Sequence, residues 1–175
     1  LDLLGNGTAC LAWSSPLTNT VGSPMCYIDL MGGQKPHLLI QVDNNMGATT
    51  FVQYAPSTRF YVADKLAGTP WVTRIPFPVH VVEQVEIHDQ ISRNRFVTRY
   101  AYHHGYYDGF EREFRGFGRV DQWDSEAFED YVVGVAQHNG TQTLAPELFQ
   151  PPVTTYTWFH TGALLEPEIV LHYLQ

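Results

Sequence analysis

Residues 103–120 read HHGYYDGFEREFRGFGRV, and in those eighteen positions stand two adjacent histidines, an aspartate, two glutamates and three arginines. Imidazoles beside carboxylates are the parts of a general acid–base pair or, with further ligands, of a zinc site. The same side chains on two strands joined by a turn would be cross-strand partners instead. Opposite charges facing each other across an antiparallel ladder contribute a few tenths to about 1 kcal/mol each.

Other stretches pose the same choice. In VHVVEQVEIH, residues 79–88, strand alternation puts Val79, Val81, Val85 and Ile87 on one face and His80, Gln84, Glu86 and His88 on the other. Successive same-face residues lie roughly 6.6 Å apart, so Glu86 and His88 are spaced as two metal ligands. A metallohydrolase would take its third ligand from His103 or His104, but the pattern names no fourth, and a solvated strand face is the expected reading. Glu83, on the apolar side, fits neither account. In LDLLGNG, Asp2 and Asn6 flank glycines as in calcium loops, yet a hard cation takes about six to eight oxygens. Leu4 stands where another ligand would be needed, so a tight turn is expected. His160 lies near the hydroxyls of Thr157 and Thr161, the setting of a hydrogen-bonded strand histidine. Asp121, Asp124 and Glu126 supply carboxylates at a spacing that does not define an acid–base pair. No GxSxG elbow, HExxH helix or P-loop occurs. Tyr102, Tyr106, Tyr107, Trp123 and Trp158 would either form a sugar-stacking surface in a carbohydrate-binding β module or fill space beneath sheets.

The elements that must position these residues read as β. Turn signals (LGNG, MGG, NNMG, HDQISRN, HHGYYDG, RGFG, HNG and Pro151-Pro152) recur between short alternating segments. The expected fold is mainly β, antiparallel strands and hairpins with one or two short helices. Expected strands are 8–13, 25–30, 37–42, 49–54, 79–88, 95–103, 110–122 and 153–160, the third and fourth forming a hairpin around DNNMGA. One helix is expected over 57–68, capped by Ser57 or Thr58 and ended by Gly68 and Pro70. A shorter one is expected over 125–132, and ALLEPEIVLHYLQ begins another element. Across 95–122, a loop centred near Tyr106 sets Tyr102 opposite Phe110 and Arg99 opposite Glu113. A two-residue Asp108-Gly109 turn would instead set Tyr102 opposite Arg115. Gly116 and Gly118 mark a strand that is closely approached or kinked.

Composition narrows the function. The 175 residues are 44% hydrophobic, 14% aromatic and only 16% charged, with a net charge of −8. Such a surface does not suit phosphate neutralisation or a polybasic membrane anchor. No apolar run reaches the length of a membrane helix. Nucleic-acid binding and direct membrane insertion are therefore not expected. Cys10 and Cys26 read as thiols packed as small hydrophobes, with one disulfide as the alternative. The opening on LDLLGNG, in mid strand and turn, points to a piece of a longer protein.

LDLLGNGTACLAWSSPL, YIDLMGGQKPHLL, YAPSTRFYVADKLAGTPWVTRIPFPVHVVEQVE, SRNRFVTRYAYHHGYYDGFEREFRGFGRVDQWD and TYTWFHTGA together resemble the middle region of the B component of bacterial insecticidal toxin complexes, the Tc toxins, related to SpvB and Rhs proteins. The resemblance implies a segment of a hollow shell of long β-strands built from Rhs/YD-type repeats. B and C components form this shell around the toxic C-terminal part of the C component. A β-propeller in the B component closes one end and docks on the A component. By this likeness residues 1–56 correspond to the propeller's end and exit, and 57–175 to the start of the shell. Tyr100–Gly109 is similar to the Tyr…Gly…Tyr-Asp repeat, with added aromatic and histidine content. The resemblance implies a secreted, non-enzymatic, structural role with the C and A components as partners, and strand edges open to self-association. The family's autoproteolytic residues lie in the C component, so no catalytic, cofactor-binding or metal-binding residue is carried over.

Overall fold

In the computed structural model, described over residues 1–14, 25–91, 95–124 and 153–163, the alternating segments become two antiparallel sheets. The elements run β1 (Cys10–Ser14), β2 (Met25–Asp29), β3 (Gln41–Asp43), β4 (Ala48–Pro56), α1 (Ser57–Leu66), β5 (His80–Asp89), β6 (Arg95–Asp108), β7 (Glu113–Asp124) and β8 (Thr154–Trp158). β1 and β2 pair alone, and β3 to β8 form one six-stranded sheet in chain order. The expected helix over 125–132, the Pro151-Pro152 pair and most of ALLEPEIVLHYLQ lie outside the described residues.

The expected strand 37–42 is present only from Gln41. Pro36 has no N–H to give a ladder, and His37 holds φ at 63°. The DNNMGA hairpin itself forms, pairing Gln41 with Phe51 and Asp43 with Thr49. Asp43 and Asn44 side chains accept turn amides at 2.8–3.0 Å.

α1 ends as its sequence indicates. Ala67 N–H bonds to Ala63 O at 2.9 Å, Thr69 N–H bonds to Asp64 O at 3.0 Å, and Gly68 takes φ +84°. Its start differs from expectation. The N-cap is Pro56, without a side-chain cap, because both candidate hydroxyls are used elsewhere. Ser57 Oγ accepts from Val79 N–H at 3.0 Å, and Thr58 Oγ1 donates to Gly5 O at 2.5 Å. The helix start is thereby stitched to β5 and to the N-terminal turn.

A bulge corrects the expected face of β5. Gln53 pairs with Gln84 but Tyr54 pairs with Val82, leaving Glu83 as the extra residue. Alternation reverses across it, so Val81 (paired with Ala55) and Val85 (paired with Val52) lie on opposite faces. His80 is likewise on the face opposite Glu86 and His88. Glu83 fitted neither face because it sits in the bulge, where it pairs with Arg59 at 2.6 Å.

Both expected registers for β6 and β7 are also corrected. Tyr102 faces Val120, Arg99 faces Trp123 and His103 faces Arg119. β6 runs on through HHGYYD, and the turn is residues 109–112, closed by Asp108 opposite Glu113. Asp108 Oδ1 accepts from Phe110 and Glu111 N–H at 2.9 and 3.2 Å, and Arg112 takes φ 57°. A second bulge, where Gly116 holds φ +94°, shifts the ladder by one between Tyr106 and Tyr107.

The core gathers under α1 and the proline-rich segment that follows it. β5 pairs β6 only from Gln84 to His88, and beyond that Tyr102 bridges the strands by donating its hydroxyl to Val82 O at 2.9 Å. The returning segment is tied to β6 by Tyr107 N–H to Arg74 O at 3.0 Å. Trp71, buried, meets Tyr61 and Phe117 edge-on at 5.5 and 6.0 Å. Ile75 and Trp71 lie so close to Gly105 that a Cβ there would stand 2.1 Å from Ile75 Cδ1.

Candidate functional site

The most concentrated polar group joins α1 to β6 and β7. Phe60 and Asp64, one helical turn apart, both face the sheet: Phe60 packs on Tyr102 at 5.7 Å, and Asp64 reaches Trp71 and His103. Asp64 Oδ2 accepts from Trp71 Nε1–H at 2.6 Å and lies 2.6 Å from His103 Nδ1. His103 Nε2 is 3.1 Å from Asp121 Oδ2, and Arg119 holds Asp121 with both arms of its guanidinium at 2.8 and 2.9 Å. The side chains of His103, Asp64 and Asp121 are each at most 16% exposed. Both imidazole nitrogens face carboxylates, and filling both bonds takes an N–H on each. Chemically this arrangement holds elements together. An imidazole with both nitrogens engaged presents no lone pair to a substrate.

His104 turns elsewhere. Its backbone takes φ 56°, its Nδ1 accepts from Val72 N–H at 3.3 Å, and its ring centre is 6.5 Å from that of His103. The pair thus fastens two different segments to β6. Glu86 and His88 do meet on one face of β5, with His88 Nε2 against Glu86 Oε1. Arg95 caps the same carboxylate through Nε at 2.6 Å and Nη2 at 2.9 Å. That hydrogen-bonded guanidinium, outweighing burial and aided by His88, pulls the Glu86 carboxyl down to about 2. The set a metallohydrolase would need is not brought together: Glu86 is bound by Arg95, while His103 and His104 look to α1 and the returning segment. Among the described residues no three His, Cys, Asp or Glu side chains are placed to hold a metal ion.

The remaining sequence candidates have local uses. Asp2 accepts from Asn6 and Gly7 N–H at 3.2 and 2.9 Å, so LDLLGNG is a carboxylate-closed turn. His160 Nδ1 accepts from Gly162 N–H at 3.2 Å. Cys10 is buried and Cys26 half-buried, both as thiols. Asp124 Oδ1 accepts from Thr98 Oγ1 at 3.0 Å, and Glu126 lies outside the described residues. An open cleft of about 260 Å³ is lined by Ser57, Thr58, Tyr61, Trp71, Arg74, Ile75 and Phe77, with no carboxylate or imidazole among them. The cleft and the titratable clusters do not coincide.

Tyr102, Tyr107 and Trp158 have separate ring partners. Tyr102 is turned inward onto Phe60 and Phe117, and burial, with Tyr100 adding, pushes its hydroxyl up to about 12. Tyr107 packs edge-on against Phe77 at 5.3 Å. Trp158 lies beside Tyr156 on β8, with the Arg119 guanidinium 5.7 Å from the Tyr156 ring centre.

What sequence reasoning did not mark is the extent of exposed apolar surface. The β1–β2 register puts Leu11, Trp13, Ile28 and Cys26 on one face, where Leu11 and Ile28 are 57% and 52% exposed. On β8, the last strand of the six-stranded sheet among the described residues, Tyr156 is 54% exposed, and Trp158 and the following Phe159 are exposed as well. Isolated apolar residues on a surface need no explanation, but contiguous ones on a strand that ends a sheet mark contact sites.

The family described as the insecticide toxin TcdB middle/N-terminal region matches residues 1–143. The chain belongs to that family. Its strands also superpose on solved structures of toxin-complex proteins. The Photorhabdus luminescens Tc holotoxin pore, carrying a TccC3 mutation, is 38% identical over 92% of this chain, with a TM-score of 0.68. A TcdB2-TccC3-Cdc42 crystal structure is 36% identical over 93% at a TM-score of 0.66. A TcdB2-TccC3 crystal structure is 37% identical over 88% at 0.64. The aligned region is 7% of the matched chain in each case. No curated protein matches the chain.

Proposed function

We propose that this TcdB-family segment serves a structural, non-enzymatic role in the B component of a secreted insecticidal toxin complex. There it forms part of the hollow β shell that encloses the toxic C-terminal domain of the C component, and the parent protein also meets the A component. The observation that carries this reading is an open sheet in a chain related to far longer ones. Among the described residues β8 ends the six-stranded sheet with exposed Tyr156 and Trp158, and the β1–β2 ribbon bares Leu11 and Ile28. A sheet left open in this way is completed by further strands of a longer wall. Within the proposal, residues 1–56 are the end and exit of the propeller and 57–175 the first part of the shell. β4 is then the strand by which the first unit joins the sheet of the second, since it pairs with β5 throughout.

The test is made in the parent protein co-expressed with its C component. Tyr156→Lys with Trp158→Lys places charge where strand continuation is expected. Protease should then cut the C component's enclosed domain readily, whereas the unsubstituted complex protects it. Undiminished protection in the doubly substituted complex would overturn the shell reading.

A further inference from the structure

The side chain of His80 has no role in the clusters above, and its position is unusual. It opens β5 opposite Pro56, with its ring pressed against the N-terminal turn. A Cβ at Gly7 would stand 2.4 Å from His80 Cε1 and 2.9 Å from Nδ1, so the imidazole touches the bare Gly7 backbone, held at φ +77°. Nδ1 is buried with no hydrogen-bond partner among the described residues. The turn it contacts is closed by local bonds: the Asp2 carboxylate accepts from Asn6 and Gly7 N–H, Asn6 Oδ1 accepts from Thr8 N–H and Thr8 Oγ1, and Thr58 Oγ1 donates to Gly5 O. A neutral ring tolerates this site through one unprotonated nitrogen that forgoes an acceptor bond. A protonated ring would bring a buried N–H and a positive charge with no acceptor facing it, a far costlier arrangement.

We propose that His80 is an acid-sensitive latch between the N-terminal turn and the six-stranded sheet. Neutral, it lets residues 5–8 lie flat against the start of β5; protonated, it lifts that turn away. The charged groups that act on it are Lys35 and Asp2, while Pro56, its partner on β4, carries no charge. Burial is the first cause lowering the ring's affinity for protons below its ordinary value of 6.5, Lys35 adds to it, and Asp2 opposes. The Asp2 carboxylate is engaged by the Asn6 and Gly7 amides, so its opposition to the burial of the imidazolium comes from within the same turn. The sign follows from proton binding. The unfolded or undocked ring binds protons more readily than the docked one, so docking is at full strength above 6.5 and weakens as pH falls below it. Glu86, held near 2, stays ionised across that window and adds no acid response of its own. The latch stands independently of the shell role.

Two-dimensional NMR of the chain tests it, with hydrogen exchange of the Gly7 and Thr8 amides followed between about pH 7.5 and pH 5.5 and corrected for intrinsic exchange. The latch predicts that protection of both amides falls about ten-fold across this range, in step with titration of the His80 ring below its ordinary value. In His80→Phe, which keeps a flat ring but takes no proton, the protection should not change with pH. The proposal is overturned by constant protection in the unsubstituted chain, or by the same loss in His80→Phe. Should that variant not fold, titration of the native His80 ring at 6.5 or above would overturn it equally.

Discussion

Most chemistry-bearing side chains described here are committed to hydrogen bonds and ion pairs that fasten one backbone segment to another. Asp64, His103, Asp121 and Arg119 run in one chain of hydrogen bonds from helix to sheet. Leaving His103, Asp64 or Asp121 without its partner incurs a desolvation penalty of about 1–3 kcal/mol. The tightest packing constraint falls on Gly105, although its backbone is not left-handed. Gly105→Ala forces a methyl against Ile75 Cδ1 at 2.1 Å and Trp71 Cζ3 at 2.9 Å. It should cost about 1–3 kcal/mol in urea unfolding, as overpacked cores do. Adding Ile75→Val removes the nearer obstacle and should recover part of the loss. If Gly105→Ala unfolds like the native chain, the packing of the proline-rich segment on β6 is misplaced.

At the scale of elements, the β6–β7 loop carries a conformation that its sequence does not favour. Arg112 holds φ 57°, is exposed, and interrupts the tight-turn expectation raised by Asp108-Gly109. Arg112→Gly should stabilise the chain by about 0.5–1 kcal/mol, since relief of left-handed strain outweighs the added freedom of the unfolded glycine. A lower midpoint of thermal unfolding for that variant would contradict the loop geometry. This loop also shows where the sequence is legible and where it is not. Strand existence, the α1 stop at Gly68 and the DNNMGA hairpin could be read because local turn chemistry determines them. Registers could not: one non-glycine left-handed residue and the Gly116 bulge moved every β6–β7 pairing. The Glu83 bulge did the same to the faces of β5, although the misfit of Glu83 in the alternation was its visible trace. The helix-to-sheet clasp was half legible. His103 stood out, but its partner Asp64 is 39 residues away and was not singled out.

At the scale of the molecule, the described residues form an antiparallel meander with a helix laid on it and apolar strand residues exposed at β1–β2 and β8. Its polar networks serve rigidity, and the open cleft contains none of their ionisable groups. The proposed wall calls for neighbours at the ends of the sheet. Cryo-electron microscopy of the parent protein bound to its C component tests this most directly. The account predicts that the β8 segment, Thr154–Trp158, pairs along its free edge with a further strand, and that the sheet lines a closed cavity holding the C component's toxic domain. A map in which β8 faces solvent and the sheet stands apart from any cavity would contradict it.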